Sequence, residues 1–214
     1  SLPFNDTPAL VETLQRYKKK IACVIIEPVA GNMGVVPARE DFLKILRELT
    51  RKYHIVLIFD EIMTGFRSSP GGVQQELGVI PDLTCLGKII GGGFPIGVYG
   101  GRKDIMKHLA PLGGVYQAGT FSGNPVVMAA GLATLKNLHK TFYGKLNQIC
   151  DQFSEDLNSY FQENRIPVHL SQYHSMMSIR FRDKRVENYA QAITSCSRKL
   201  YSQLFWQLIA KRIY

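Results

Sequence analysis

Every residue from Ile21 to Ile26 is apolar, and the run stops at Glu27-Pro28. A short, unbroken apolar run bounded by turn residues reads as a strand buried in a parallel sheet. Before it, Asp6-Thr7-Pro8 is a helix start, and the helix is predicted over Ala9 to Lys20. After it, a loop with Gly and Pro leads to Ala38. From Glu40 to Tyr53 the apolar positions Phe42, Ile45, Leu46 and Leu49 recur at helical spacing on one face. A second apolar run, Ile55 to Phe59, follows and ends in Asp60-Glu61. Strand, loop, helix and strand in this order predict a parallel sheet flanked by helices.

Further along, Met63 to Pro81 is glycine-rich and polar, a loop with some helix. Short strands are predicted over Asp82 to Leu86 and Val98 to Gly100. Asn124-Pro125 opens a helix that runs to about Leu138. A second long helix is predicted from about Gly144 to Asn164, a strand from Met176 to Phe181, and a mostly helical stretch from Val186 to Arg212. Glycine-rich loops give way to helix, strand and helix at about Leu138, which sets the expected domain division there.

Composition narrows the class. The 214 residues are 45% hydrophobic and 20% charged, which is a globular rather than a disordered balance. No apolar stretch is long enough to span a bilayer, and the N-terminus does not read as a signal peptide. The net charge of +9 raises nucleic acid as a partner. The cations are dispersed, however, and the densest run, Lys18-Lys19-Lys20, closes a helix, where the dipole favours positive charge. Binding of anionic small molecules accounts for basicity as well; no nucleic-acid or membrane partner is expected. The cysteines Cys23, Cys85, Cys150 and Cys196 are far apart, with no C-x-x-C, and read as reduced, buried or half-buried thiols of a cytosolic protein. The histidines are scattered, without the paired spacing of a metal site.

The candidate chemistry sits in three segments. Ligands of open α/β sheets bind beyond the carboxyl ends of the strands, and Asp60 lies at such an end. A lone aspartate there is ordinarily a cap or loop carboxylate. Here it is joined by Lys88, within Thr84-Cys85-Leu86-Gly87-Lys88-Ile89-Ile90-Gly91-Gly92-Gly93. Apolar neighbours and three glycines predict a partly buried lysine, which favours the neutral, reactive amine. The glycines let backbone come close to a ligand. A lysine amine can condense with the aldehyde of pyridoxal 5'-phosphate, while an aspartate keeps a proton on its pyridine nitrogen. Ile62, two residues beyond Asp60, points to the same side if the strand persists and can pack against a flat ring; packing in the core suits it equally. The third segment is Gly119-Thr120-Phe121-Ser122-Gly123-Asn124-Pro125, whose hydroxyls and free N–H groups precede a helix N-terminus and suit an anion. A plain N-cap by Ser122 or Asn124 explains it as well. The lysine segment is neither a Walker A loop nor G-x-G-x-x-G.

Five segments together resemble the class III aminotransferases of the aspartate-aminotransferase-like fold type I. They are Glu27 to Gly34, Leu57 to Arg67, Pro81 to Gly93, Gly97 to Gly101 and Tyr116 to Pro125. The resemblance weakens after about residue 140. It implies an α/β fold: residues 1–138 form the second half of a pyridoxal-phosphate-binding large domain with a mostly parallel sheet, and 139–214 form part of a small C-terminal α/β domain. It implies Lys88 as the lysine that carries the cofactor, Asp60 as partner of the pyridine nitrogen and Ile62 as the residue packed on the ring. Thr120 would reach the cofactor phosphate of the neighbouring subunit in a homodimer. Asn32 stands where many relatives have a glutamate that helps handle a second amino acid. Asparagine matches the aminomutase branch, whose small-molecule substrate supplies both amino group and carbonyl.

The resemblance also implies an upstream half with the serine- and glycine-containing phosphate loop and the aromatic that stacks on the ring. The chain begins Ser1-Leu2-Pro3 and reads as an internal fragment. A two-substrate transaminase and a non-catalytic fragment remain as rival readings. The setting expected for the parent is the cytoplasm of a bacterium, or the plastid stroma in a plant or alga.

Overall fold

Along Val56–Asp60 (β4) burial alternates. Leu57 and Phe59 are fully buried, whereas Val56, Ile58 and Asp60 are half-buried. A strand places successive side chains on opposite faces, so one face of β4 looks into the main core and the other carries Asp60. In this computed structural model, which describes residues 1–213, that core is built by the two preceding helices. Thr7–Tyr17 (α1) contributes Leu10 and Leu14, and Glu40–Lys52 (α2) contributes Phe42, Leu43 and Leu46. Asp6 caps α1 by accepting the Ala9 N–H at 2.9 Å.

The remaining elements, in chain order, are Cys23–Ile26 (β1), Val29–Ala30 (β2), Val36–Pro37 (β3), Gly72–Leu77 (α3), Leu83–Gly87 (β5), Gly97–Gly101 (β6), Lys103–Met106 (α4), Pro125–Asn137 (α5), Lys140–Glu163 (α6), His169–Tyr173 (β7), Met176–Arg180 (β8), Tyr189–Thr194 (α7) and Arg198–Ala210 (α8). A four-stranded sheet runs β1-β4-β5-β6. β1, β4 and β5 are parallel, and β6 adds antiparallel to β5. The α/β class and the mostly parallel sheet follow the expectation.

Several local expectations are corrected. β1 is an edge strand rather than a fully buried one: Ile25 is 61% exposed, and Cys23 on the same face is exposed too. Its apolar run covers both faces, but helices pack on only one. Cys196 is exposed as well, so two of the four free thiols are not buried. The loop after β1 contains the β2–β3 pair, two residues per strand, inside what reads as irregular chain. β7 pairs antiparallel with β8, so the single C-terminal strand is half of a hairpin. Asn158 on α6 accepts the Leu170 N–H at 2.9 Å and donates to the Leu170 carbonyl at 3.1 Å, which pins β7 to the helix. α6 starts at Lys140, with His139 as its cap. The last helical stretch is broken between Thr194 and Arg198.

Side-chain bonds tie the C-terminal part to the sheet. The Tyr143 hydroxyl donates to the Phe66 carbonyl at 2.8 Å. Glu76 on α3 accepts from the Tyr173 hydroxyl at 2.7 Å and meets His174 Nε2 at 3.1 Å. Burial alone would raise the Glu76 pKa, but the hydrogen bonds from His174 and Tyr173 hold it below the usual range. His174 is raised by the same bond to Glu76.

Under the sheet lies a buried ion pair. Asp82 Oδ2 accepts from Arg47 Nη1 at 2.9 Å and from the Leu57 N–H at 2.8 Å, and Oδ1 accepts from Arg102 at 3.0 Å. Burial pushes the Asp82 pKa up, and these three donors outweigh it and hold it below the ordinary value. Asp82→Ala leaves Arg47 buried without its partner and is expected to cost about 3–5 kcal/mol, read as a lower urea midpoint. The sign in pH follows from a depressed folded-state value. The contribution is whole above about pH 3.9, the unfolded aspartate value, and is lost as pH falls through the folded one. The variant should therefore lose its disadvantage in acid, and an unchanged gap between the two proteins at low pH would contradict this account.

Candidate active site at the carboxyl ends of the parallel strands

β4 delivers Asp60 and β5 delivers Lys88 beyond the same edge of the sheet. Asp60 pairs with Cys85 in the register, and Lys88 follows Gly87, the last residue of β5. Parallel neighbours lie about 4.8 Å apart, so adjacent strands bring the two segments side by side. Asp60 Oδ1 accepts the Ile62 N–H at 3.0 Å. Among the described residues no hydrogen bond is made to Oδ2, which leaves that oxygen free to accept from a ligand. Asp60 also acts on the Cys85 thiol, whose pKa is pushed up first by burial and then by this neighbouring carboxylate.

Ile62 joins them. A Cβ placed on Gly87 would lie 3.3 Å from the Ile62 side chain and 3.2 Å from the Ile96 carbonyl. The isoleucine thus lies over the residue that precedes Lys88, and it is 37% exposed rather than sunk in the core. Lys88 itself has φ 49°, in the left-handed region. A non-glycine residue there is uncommon and strained, and such strain gathers at functional positions.

Lys88 departs from the sequence expectation in one respect: it is exposed. Its left-handed turn sends Ile90 and Gly91 inward, both buried, and leaves the lysine outward. The glycines also differ from expectation. A Cβ on Gly92 would lie 2.5 Å from the Ala130 carbonyl of α5, and one on Gly91 would lie 2.9 Å from Ile96. From α5, a Cβ on Gly131 would lie 2.2 Å from the Ile90 carbonyl. At Gly92 and Gly131 the missing side chains allow the close approach of α5.

Asn32 and Thr120 stand apart from this group. Asn32 is exposed in the connection between β2 and β3. That connection begins beyond the carboxyl end of β1 and is held by Gly31 N–H to Glu27 Oε2 at 3.1 Å and by the Arg180 guanidinium on the Met33 carbonyl. A Cβ on Gly31 would meet the Met63 side chain at 2.3 Å, so the hairpin packs on the loop that follows Asp60. Thr120 is exposed and lines a hollow with Val98, Tyr99, Phe121 and Met128 that contains neither Asp60 nor Lys88. Asn124 caps α5, accepting the Val126 and Val127 N–H groups at 3.0 and 3.3 Å, so the plain cap holds for that residue.

Sequence reasoning passed over Glu61. It is fully buried, and its carboxylate gathers the loop after β4. Among the described residues no group of His, Cys, Asp or Glu is gathered to hold a metal ion, and no helix is long and apolar enough to cross a membrane.

Comparison with known proteins gives the family. The model of the class III aminotransferases matches residues 5–200. Glutamate-1-semialdehyde 2,1-aminomutase from Thermodesulfovibrio yellowstonii is 50% identical over 214 residues, which is 100% of this chain and 50% of that protein. The enzyme of that name from Aquifex aeolicus is 46% identical over 213 residues, 99% of this chain and 50% of its own. Among solved structures, a β-phenylalanine aminotransferase from Variovorax paradoxus superposes with a TM-score of 0.94 at 34% identity, covering 100% of this chain and 50% of that one. A glutamate-1-semialdehyde-aminomutase from Pseudomonas aeruginosa in complex with PMP gives 0.80 at 29% identity, covering 92% and 45%. The chain spans about half the length of the curated relatives that it matches.

Proposed function

The chain belongs to the class III aminotransferases, and from that premise we propose that the complete protein carrying it is a glutamate-1-semialdehyde 2,1-aminomutase. It converts (S)-4-amino-5-oxopentanoate to 5-aminolevulinate, a tetrapyrrole precursor, by intramolecular amino transfer with pyridoxal 5'-phosphate. The observation that carries this reading is the convergence of Asp60, Ile62 and Lys88 at one edge of β4 and β5. The residues fit the cofactor: a carboxylate oxygen without a protein donor, a half-exposed branched side chain and an exposed amine occupy one side of the sheet end. When bound, the cofactor supplies an electron sink for moving an amino group and a proton. Asp60 would hold the ring nitrogen, its charge favouring the protonated ring. Ile62 would pack on the ring face. Lys88 would anchor the cofactor through its amine and serve as the proton donor and acceptor toward the substrate.

Thr120 acts on the cofactor phosphate of the neighbouring subunit in a homodimer; its place in a hollow that contains neither Asp60 nor Lys88 agrees with service to a second site. Asn32 lines the substrate side and supplies no carboxylate for a second amino acid. The division at residue 138, with 1–138 in the large domain and 139–214 in the small one, belongs to the same proposal, as does a cytoplasmic setting. The relatives named above give no support to a plastid one.

One observation favours a two-substrate transaminase. An omega-transaminase from Sphaerobacter thermophilus, at 37%, and the β-phenylalanine aminotransferase, at 34%, exceed the 29% of the aminomutase structure. The test is direct. The complete protein, charged with pyridoxamine phosphate, is expected to make 5-aminolevulinate from the semialdehyde alone. A stoichiometric requirement for glutamate or alanine would transfer the assignment to the transaminases. Absence of both product and cofactor absorbance would favour the non-catalytic reading.

A further inference from the structure

Resting on the reading of Asp60 just given, we propose that Glu61 is the positioning residue of this site: it locks the corner after β4 that aims Asp60 and Ile62 at the Lys88 edge. Glu61 is 0% exposed. Its Oε2 accepts from the Thr64 hydroxyl at 2.9 Å and the Val73 N–H at 2.8 Å, and its Oε1 accepts from the Gln74 N–H and Nε2, both at 3.1 Å. Every partner is a donor, as an acceptor-only carboxylate requires. Gln74 Nε2 also reaches Thr84 Oγ1 on β5 at 3.2 Å, so the network returns to the strand that bears Lys88. The Glu61 N–H donates to the Cys85 carbonyl at 3.0 Å and extends the β4–β5 ladder one residue past Asp60.

Side chain and backbone thus clamp one residue from two directions. β4 ends at Asp60, so strand alternation does not extend to Ile62; the turn that follows, closed by the Ile62 N–H on Asp60 Oδ1, is what lays Ile62 over Gly87. The loop makes room for this clamp. Gly72 has φ 66°, and a Cβ there would lie 2.2 Å from Glu61 Oε2. An apolar residue at 61 would fill the same space but leave the Val73 and Gln74 N–H groups buried without acceptors. A polar network of this kind, with its acceptors satisfied, specifies one arrangement of the corner.

The Cys85 thiol, which faces Asp60, is a built-in reporter that needs no cofactor. Its pH-dependent alkylation, mapped by peptide, has a midpoint set by burial and by the Asp60 charge, and a plateau set by access. Glu61→Gln is expected to let Asp60 swing away from Cys85. The midpoint then moves to lower pH, in the same direction as in Asp60→Asn, with about threefold faster labelling at a fixed pH below the midpoint. Gln74→Leu, which keeps Glu61 but removes one clamp, should move it less, and serves if the first variant folds poorly. Cys150, raised by burial and by Asp151, should not move.

A role confined to holding the fold would change the plateau and the melting temperature but not the midpoint. An unmoved midpoint in both variants, with borohydride still trapping cofactor on Lys88 of the unsubstituted complete protein, overturns the role of Glu61 alone. Trapping on another lysine overturns this proposal together with the reading beneath it. A shifted midpoint with Lys88 trapped sustains both.

Discussion

Lys88→Ala in the complete protein is expected to end covalent capture of pyridoxal phosphate and to lower turnover by about 10⁴–10⁶-fold, the scale of losing one member of a catalytic unit. The expectation rests on placement. Of the segments that leave the carboxyl ends of β4 and β5, residues 61–70 contain no lysine and residues 88–96 contain Lys88 alone. Within these two segments no other amine is placed to take over. Lys88 is exposed, and alanine keeps its Cβ and leaves no buried cavity, so the variant should fold. Borohydride reduction followed by peptide mapping locates the cofactor in the unsubstituted protein. Label on a different lysine, or an alanine variant with near-normal turnover, would end the assignment.

Asp60→Asn should act differently. Asparagine keeps an oxygen for the Ile62 N–H, so the corner persists. It offers no negative charge to a ring nitrogen, and the protonated ring loses its partner. Removing one preorganised electrostatic partner costs on the order of 10²–10³-fold in turnover. Cofactor binding should fall much less, because Ile62 and Lys88 are untouched. The pair of measurements is kcat and cofactor affinity, with the pH dependence of the cofactor band as a third. A variant that binds poorly but turns over normally once saturated would assign Asp60 to binding alone.

What the sequence discloses about this site depends on the kind of signal. Asp60 and Lys88 are legible because each ends an apolar run, and runs of this kind are strands whose carboxyl ends are known places for ligands. The exposure of Lys88 is not legible. Ile90 and Gly91 do enter the interior, but a single left-handed residue turns the lysine the other way. Glu61 is hidden for a related reason. A charged residue reads as surface, and the donors that satisfy Glu61 include residues 12 and 13 positions away along the chain. The glycine in left-handed geometry at 72, the first residue of a short helix, is the one local trace of it. β7 escapes because His169-Leu170-Ser171-Gln172-Tyr173 lacks a clean alternation, and what fixes it is Asn158 on a distant turn of α6. β1 misleads because an all-apolar run does not say whether one face or two are covered.

The meeting of α5 with the turn at Lys88 has a consequence for how this protein can be altered. Two hydrogens, one at position 92 and one at 131, set the gap between that turn and the helix, since any larger group would drive into the Ala130 or the Ile90 carbonyl. The loop that carries Thr120 hangs from the start of the same helix. A library that randomises pocket residues would leave this gauge untouched. One that reached either glycine would displace Lys88's support and Thr120's anchor in a single step. Laboratory evolution of substrate choice is therefore expected to find its gains around the Asn32 hairpin and to register positions 92 and 131 as blanks.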